Sequence, residues 1–144
     1  MKYSAGILIN IHHNGELKYL VCHPTKASWY GRHDLPKGGY LLQEETPEEA
    51  ALRETKEEVG LDLSKEDLKD PEIVNYISNK GKIYKKVTVF KVHINIEDYK
   101  EYFTTNLTVK KEFLQLEEVD WAGFLNLKEL EKRLFRRFKK LLGE

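Results

Sequence analysis

Seven glutamates crowd the stretch GGYLLQEETPEEAALRETKEEVGLD, which runs from Gly38 to Asp62. Three of them, Glu54, Glu57 and Glu58, stand at i, i+3 and i+4, so on a helix they share one edge. Like charges at that spacing repel by a few tenths of a kcal/mol each. A solvated helix face interleaves lysine to avoid this, yet only Arg53 and Lys56 lie near. Convergent carboxylates on a rigid element are what a hard divalent cation such as Mg²⁺ or Mn²⁺ requires, with places left for water and phosphate oxygens. Just ahead, Leu35-Pro36-Lys37-Gly38-Gly39 supplies complementary groups. Its glycines let backbone approach the site, a carbonyl there offers one more oxygen ligand, and Lys37 is a point charge suited to phosphate.

The element that must carry these acids is written into the same stretch. Thr46 is a cap residue, Pro47 suits the first helical position, and Glu49 completes a capping box. Glu48 and Glu49 are therefore explained by the helix start alone. Gly60 is the expected C-terminal stop. Ala51, Leu52, Thr55 and Val59 fall on one arc, the buried stripe, beside the acidic edge.

Residue by residue, the stretch resembles the Nudix box. Gly39, five residues, Glu45, seven residues, then Arg53-Glu54-Thr55-Lys56-Glu57-Glu58-Val59-Gly60-Leu61 fill every fixed charged or glycine position of that signature. Thr55 is the one soft departure, standing where an aliphatic residue is usual. The Trp29…Leu35-Pro36-Lys37-Gly38 approach and Val119-Asp120-Trp121 before a final helix extend the resemblance along the chain. It implies an α/β fold, an α/β/α sandwich with a mixed sheet and helices on both faces, as one domain over residues 1–144.

The resemblance also implies hydrolysis of a nucleoside diphosphate linked to another group. Glu57 and Glu58 would bind Mg²⁺ (or Mn²⁺) with the Gly38 carbonyl assisting, and Glu54 would be a ligand or the general base. Arg53 would hold the glutamates, and Glu45 would support the loop. A glutamate from a later loop completes the metal shell in some members; Glu112, Glu117 and Glu118 are the candidates, with Glu112 taken first. Dinucleoside polyphosphates lead the substrates, because Lys37 after Trp29 and Pro36 resembles members acting on diadenosine tetraphosphate. RNA 5′-triphosphates, nucleoside triphosphates and ADP-ribose follow. A nucleotide-binding module without turnover and a purely structural acidic helix are the competing readings.

Outside the box the chemistry thins. Arg32 and Tyr84 are candidate substrate contacts with Lys37, through phosphate and nucleobase respectively. Tyr30, Tyr40 and Tyr76 are further stacking candidates, although strand tyrosines more often pack beside a core. The five histidines lack ligand spacing, but His33 beside Arg32 is close enough in sequence to meet a phosphate. Lys132, Arg133, Arg136, Arg137, Lys139 and Lys140 make the tail basic, which would suit RNA or an acidic partner as well as a solvated helix face.

The remaining pattern supplies the frame. Tyr3–His12 and Glu16–His23 read as strands joined by the hairpin signal Asn14-Gly15. Glu72–Ser78 and Ile83–Ile96 read as strands about Asn79-Lys80-Gly81, residues 97–111 as a loop with a turn of helix, and Val119–Phe124 as a strand. Asn126 caps a last helix whose apolar face runs from Leu127 to Leu142. With 24 basic and 24 acidic residues, net charge predicts no polyanionic partner. One cysteine, Cys22, excludes an intrachain disulfide or a multi-cysteine metal site. The short, interrupted apolar run at the start matches neither a membrane span nor a signal peptide, so a soluble, cytoplasmic protein is expected.

Overall fold

The computed structural model describes residues 1–28 and 32–142. Six strands form one mixed sheet: β1 (Lys2–His13), β2 (Glu16–Pro24), β3 (Lys37–Tyr40), β4 (Lys69–Ile77), β5 (Ile83–His93) and β6 (Val119–Asn126). Their order is β4-β5-β1-β2-β6, with β3 also paired to β1. The helices are α1 (Pro47–Val59) and α2 (Leu127–Arg133).

Alternation along β1 explains why both sheet faces need covering. Ala5, Ile7, Ile9 and Ile11 point into a core shared with Ala50, Ala51 and Val59 of α1. Leu8 points the other way, into a second core closed by Leu130, Leu134, Phe138 and Leu141. The expected α/β/α sandwich is the observed one.

β1 also organises the site. On one side it pairs with β5 in parallel, from Lys2 opposite Lys85 to Asn10 opposite His93. On the other side two strands share it: β3 pairs with Tyr3–Gly6 and β2 with Asn10–His13. The sheet therefore forks. Residues 34–36 span the fork, through a mutual Cys22–Asp34 backbone pair (2.6 and 2.8 Å) and Ile7 N–H donating to Pro36 O at 3.1 Å.

Three expectations need correction. The stretch opening at Gly38, which begins like a loop in the sequence, starts within the strand Lys37–Tyr40; pairing with β1 overrides the poor strand propensity of two glycines. The last helix does not run through to Leu142. It stops at Arg133, residues 134 and 135 are extended, and Arg136–Leu141 form a 3-10 turn. The cause is a tertiary bridge: His33 N–H donates to Arg133 O and accepts Phe135 N–H at its own carbonyl, both at 2.8 Å. The predicted strand Ile83–Ile96 ends at His93, where Asn95 instead caps a 3-10 turn over Ile96–Tyr99.

Candidate active site

The helix start and stop are as the sequence specifies. Thr46 Oγ1 accepts Glu49 N–H at 3.2 Å, Glu49 answers to Thr46 N–H at 2.9 Å, and Gly60 closes the helix at φ +77°. The acidic edge is subtler than its spacing implies. Glu54 and Glu58 are buried, each 9% exposed, whereas Glu57 faces out. The buried stripe is thus Ala50, Ala51, Thr55 and Val59 with two carboxylates among them, and Leu52 packs only partly against it.

Arg53 ties the box together. It forms a fork-to-fork pair with Glu45 (2.9 and 2.8 Å), reaches Glu57 at 3.3 Å and Glu54 at 3.7 Å, and donates to Gly39 O at 3.2 Å. This bidentate geometry is specific to guanidinium. It holds Glu45 below its ordinary pKa and the guanidinium above its own. One side chain fixes the loop, the β3 backbone and two of the three acids.

Gly38 is required by contact. A Cβ there would fall 1.6 Å from Oε2 of Glu54, so the Glu54 carboxylate rests directly on the glycine. β3 and α1 meet at this point. Burial raises the Glu54 pKa, opposed by Arg53 and reinforced by Glu57. Glu58 is pushed up to about 8, first by burial and then by the charges of Glu54, Asp34 and Glu118.

Glu58 lines a cavity of about 140 Å³ with Cys22, Pro24, Asp34, Leu35, Lys37, Glu118 and Val119. It lies at the sheet fork. Lys37 pairs there with Asp34 at 3.3 Å, and burial raises the Asp34 pKa despite that partner. The segment presenting Glu118 is pinned on two sides: Gln115 N–H donates to Glu58 O at 3.1 Å, and Thr25 holds Glu118 O and Leu116 O at 3.0 and 2.9 Å. A larger cleft of about 610 Å³ opens alongside at Gly39, lined by Lys2, Tyr3, Ser4, Tyr40 and Lys85 among others.

The structure thus brings Arg53, Glu54, Glu58, Gly38 and Lys37 together, with Glu57 at their outer edge. Of the later glutamates, Glu118 lines the cavity, whereas Glu112 is exposed on the turn Lys111–Phe113 and is not among the cavity's lining residues. Arg32 lies 5.9 Å from the Phe135 ring and Tyr84 is exposed at the edge of Tyr76. His33 is fully buried, its ring packed against those of His23 and Trp121. Trp29 and Tyr30 lie outside the described residues. Asp34 was missed because nothing periodic marks it; its only signal is its place three residues before Lys37.

Whether a divalent ion fits is a matter of donor chemistry. Among the described residues, no three His, Cys, Asp or Glu side chains already stand as a ready-made metal cluster. Mg²⁺ does not need one, since it is held by one or two carboxylates plus water and substrate phosphate. Two buried carboxylates whose charge is disfavoured without a cation meet that requirement.

A six-stranded mixed sheet between helices, with buried glutamates on a capped helix beside a lysine–glycine strand, defines the class. The NUDIX domain model matches residues 2–142, and the chain belongs to that family, whose class is the hydrolases of phosphoric anhydride bonds. Among solved structures, a Caenorhabditis elegans Ap4A hydrolase binary complex is similar at a TM-score of 0.67 and 22% identity, over 98% of this chain and 92% of that one. A MutT protein from Methanosarcina mazei gives 0.64 and 22%, over 96% and 88%. The NUDIX domain of Shewanella oneidensis NrtR, complexed with ADP ribose, gives 0.62 and 14%, over 98% and 84%. An 8-oxo-dGTP diphosphatase of Proteus vulgaris is 38% identical over 61 residues, 42% of this chain. The match spans about half (51%) of that curated relative's length. Among the described residues no helix is long and apolar enough to cross a membrane.

Proposed function

We propose that the chain is a Mg²⁺-dependent pyrophosphohydrolase that cleaves a nucleoside diphosphate linked to another group, with dinucleoside polyphosphates the favoured substrates. The observation that carries this reading is the pair of buried carboxylates, Glu54 against Gly38 and Glu58 at the sheet fork, with Lys37 beside them. A structural acidic helix would expose these groups, and a binding module has no need to bury them.

Glu54, Glu57 and Glu58, with the Gly38 carbonyl, would hold the ion, and Glu118 is better placed than Glu112 to join them. The ion, Mg²⁺ or Mn²⁺, supplies charge neutralisation on phosphate and a more acidic water. Lys37 binds a phosphate oxygen as a point charge, and the Asp34 contact keeps its ammonium aimed into the cavity. Glu54 would act as a ligand or take the proton from the attacking water, and its burial, which raises its proton affinity, suits the second role. Arg53 does not touch substrate in this scheme; it positions Glu45, Glu54, Glu57 and Gly39.

The Ap4A hydrolase likeness supports room for a dinucleotide on this fold, and the 610 Å³ cleft provides the space. The Proteus vulgaris relative favours a second reading, a nucleoside triphosphate diphosphatase. The test is turnover with Mg²⁺ or Mn²⁺ of diadenosine polyphosphates, nucleoside triphosphates including 8-oxo-dGTP, ADP-ribose and 5′-triphosphorylated RNA, with Glu57→Gln as control. Diadenosine tetraphosphate should show the highest kcat/KM, and Glu57→Gln should lower it at least a hundredfold. Preference for a triphosphate selects the second reading, and absence of turnover with every substrate overturns both.

A further inference from the structure

Arg137 is a basic residue of the tail that turns back onto the sheet, over Tyr76 of β4. Its guanidinium lies 4.0 Å from the centroid of the Tyr76 ring, and Lys85 Nζ is 5.0 Å from the same centroid. Phe138, fully buried, packs edge-on to Tyr76 at 6.3 Å and anchors the 3-10 turn that carries Arg137. The arginine is therefore held by its neighbours rather than trailing from a tail.

Sheet register places these groups on the second-core face of the sheet, with Lys37 at the fork where that face meets the carboxylate cavity. Lys37 is opposite Gly6, Lys85 is opposite Lys2, and Tyr76 is opposite Lys85. Gly6 and Lys2 share one face of β1, so Lys37, Lys85, Lys2 and Tyr76 all project from that face. Lys37 lines the carboxylate cavity, while Lys2 and Lys85 line the larger cleft. Among the described residues no acid lies within ion-pair distance of Lys2, Lys85 or Arg137, and Asp34 answers only Lys37. The Lys85 pKa is lowered, first by burial and then by the charges of Lys37, Lys2 and Arg137, against the pull of Asp34. Cations are costly to crowd without counter-charge, and this crowding begins at the acids.

We propose that Arg137, Lys85 and Lys37 form a subsite for a linear polyphosphate, in which Arg137 on its Tyr76 platform binds the phosphates farthest from the carboxylates. This rests on the phosphoanhydride reading above and adds chain-length specificity to it. A run of anionic phosphates supplies the counter-charges that the protein omits, and the guanidinium can meet phosphate with two parallel hydrogen bonds. Arg137 is thus a specificity residue supplied from outside the Nudix box.

The test compares wild type, Arg137→Gln, Arg137→Lys and a control, Arg136→Gln, on diadenosine tri-, tetra- and pentaphosphate, with inorganic tripolyphosphate binding measured separately by calorimetry. Arg137→Gln should raise KM about tenfold for the pentaphosphate and less for the triphosphate, with kcat within about twofold. It should weaken tripolyphosphate binding by a similar factor and leave the melting temperature unchanged. Arg137→Lys should recover part of the loss, and Arg136→Gln should match wild type. Unchanged KM and unchanged tripolyphosphate affinity in Arg137→Gln overturn the subsite. So does a loss that is equal for all three chain lengths. If wild type hydrolyses none of the dinucleotides but binds tripolyphosphate through Arg137, the functional reading fails and the subsite stands.

Discussion

Burial costs a carboxylate its ionised form unless a cation or several donors replace the lost water. Glu58 has no ion-pair partner among the described residues, and its pKa rises from an ordinary 4.5 to about 8. Between those values the native state keeps a proton that the unfolded chain gives up. The unfolded state then binds fewer protons, so stability falls as pH rises through that window, by an amount on the order of a few kcal/mol. In EDTA, the wild-type melting temperature should decline from about pH 5 to pH 8, and Glu58→Gln should flatten the decline. Millimolar Mg²⁺ should restore stability at the upper end. A wild-type profile already flat in EDTA would contradict this account. Thr55 presents the opposite case, a buried hydroxyl with no hydrogen-bond partner among the described residues. Thr55→Val keeps the shape and removes the unsatisfied group, so it should raise stability by about 1 kcal/mol, or about 3 °C in Tm. No gain in thermal melting would mean that the hydroxyl has a partner after all.

At the scale of elements, α1 shows what local chemistry can specify. Thr46, Pro47, Glu49 and Gly60 act on their own backbone neighbours, so the sequence alone locates both helix ends. Thr46→Ala removes the cap and should cost about 1 kcal/mol in chemical denaturation, without changing the metal response. Strand β3 and the break after Arg133 were illegible for the complementary reason. Each depends on a partner distant in sequence: β1 for Lys37–Tyr40, and the His33 backbone for residues 133–135. The tail's apolar pattern still located most of its buried side chains, since Leu130, Leu134, Phe138 and Leu141 enter the second core despite the broken helix, whereas Leu127, first on that face, is exposed. Periodicity reported which residues are buried, but not the backbone path that buries them.

For the whole molecule, the candidate site was legible where it lies within the box and dark where separate segments converge. Glu54, Glu57 and Glu58 share an edge by spacing, and the resemblance to the box added the roles of Arg53 and of Gly38 just ahead of it. Asp34 and Lys85 reach the same region from a strand-bridging loop and the second strand of a hairpin, while Glu118, on a pinned loop, was one of three later glutamates the resemblance offered and not the one taken first. No local pattern announces such convergence. It is produced by β1, which carries β5 on one side and divides its other side between β2 and β3. That strand also bears on how the chain reaches its native state. Residues 2–10 must find residues 85–93 in parallel register before both cores are complete, since Phe90 and Val92 enter one and Val87 and Val89 the other. Loop closure over such a separation is entropically slow, whereas α1 and the β1–β2 and β4–β5 hairpins can form from neighbours. Docking of β1 on β5 should therefore be the slow step of folding, so Val89→Ala in β5 should slow refolding in stopped-flow mixing more than Thr46→Ala does, and an equal effect on both would argue against it.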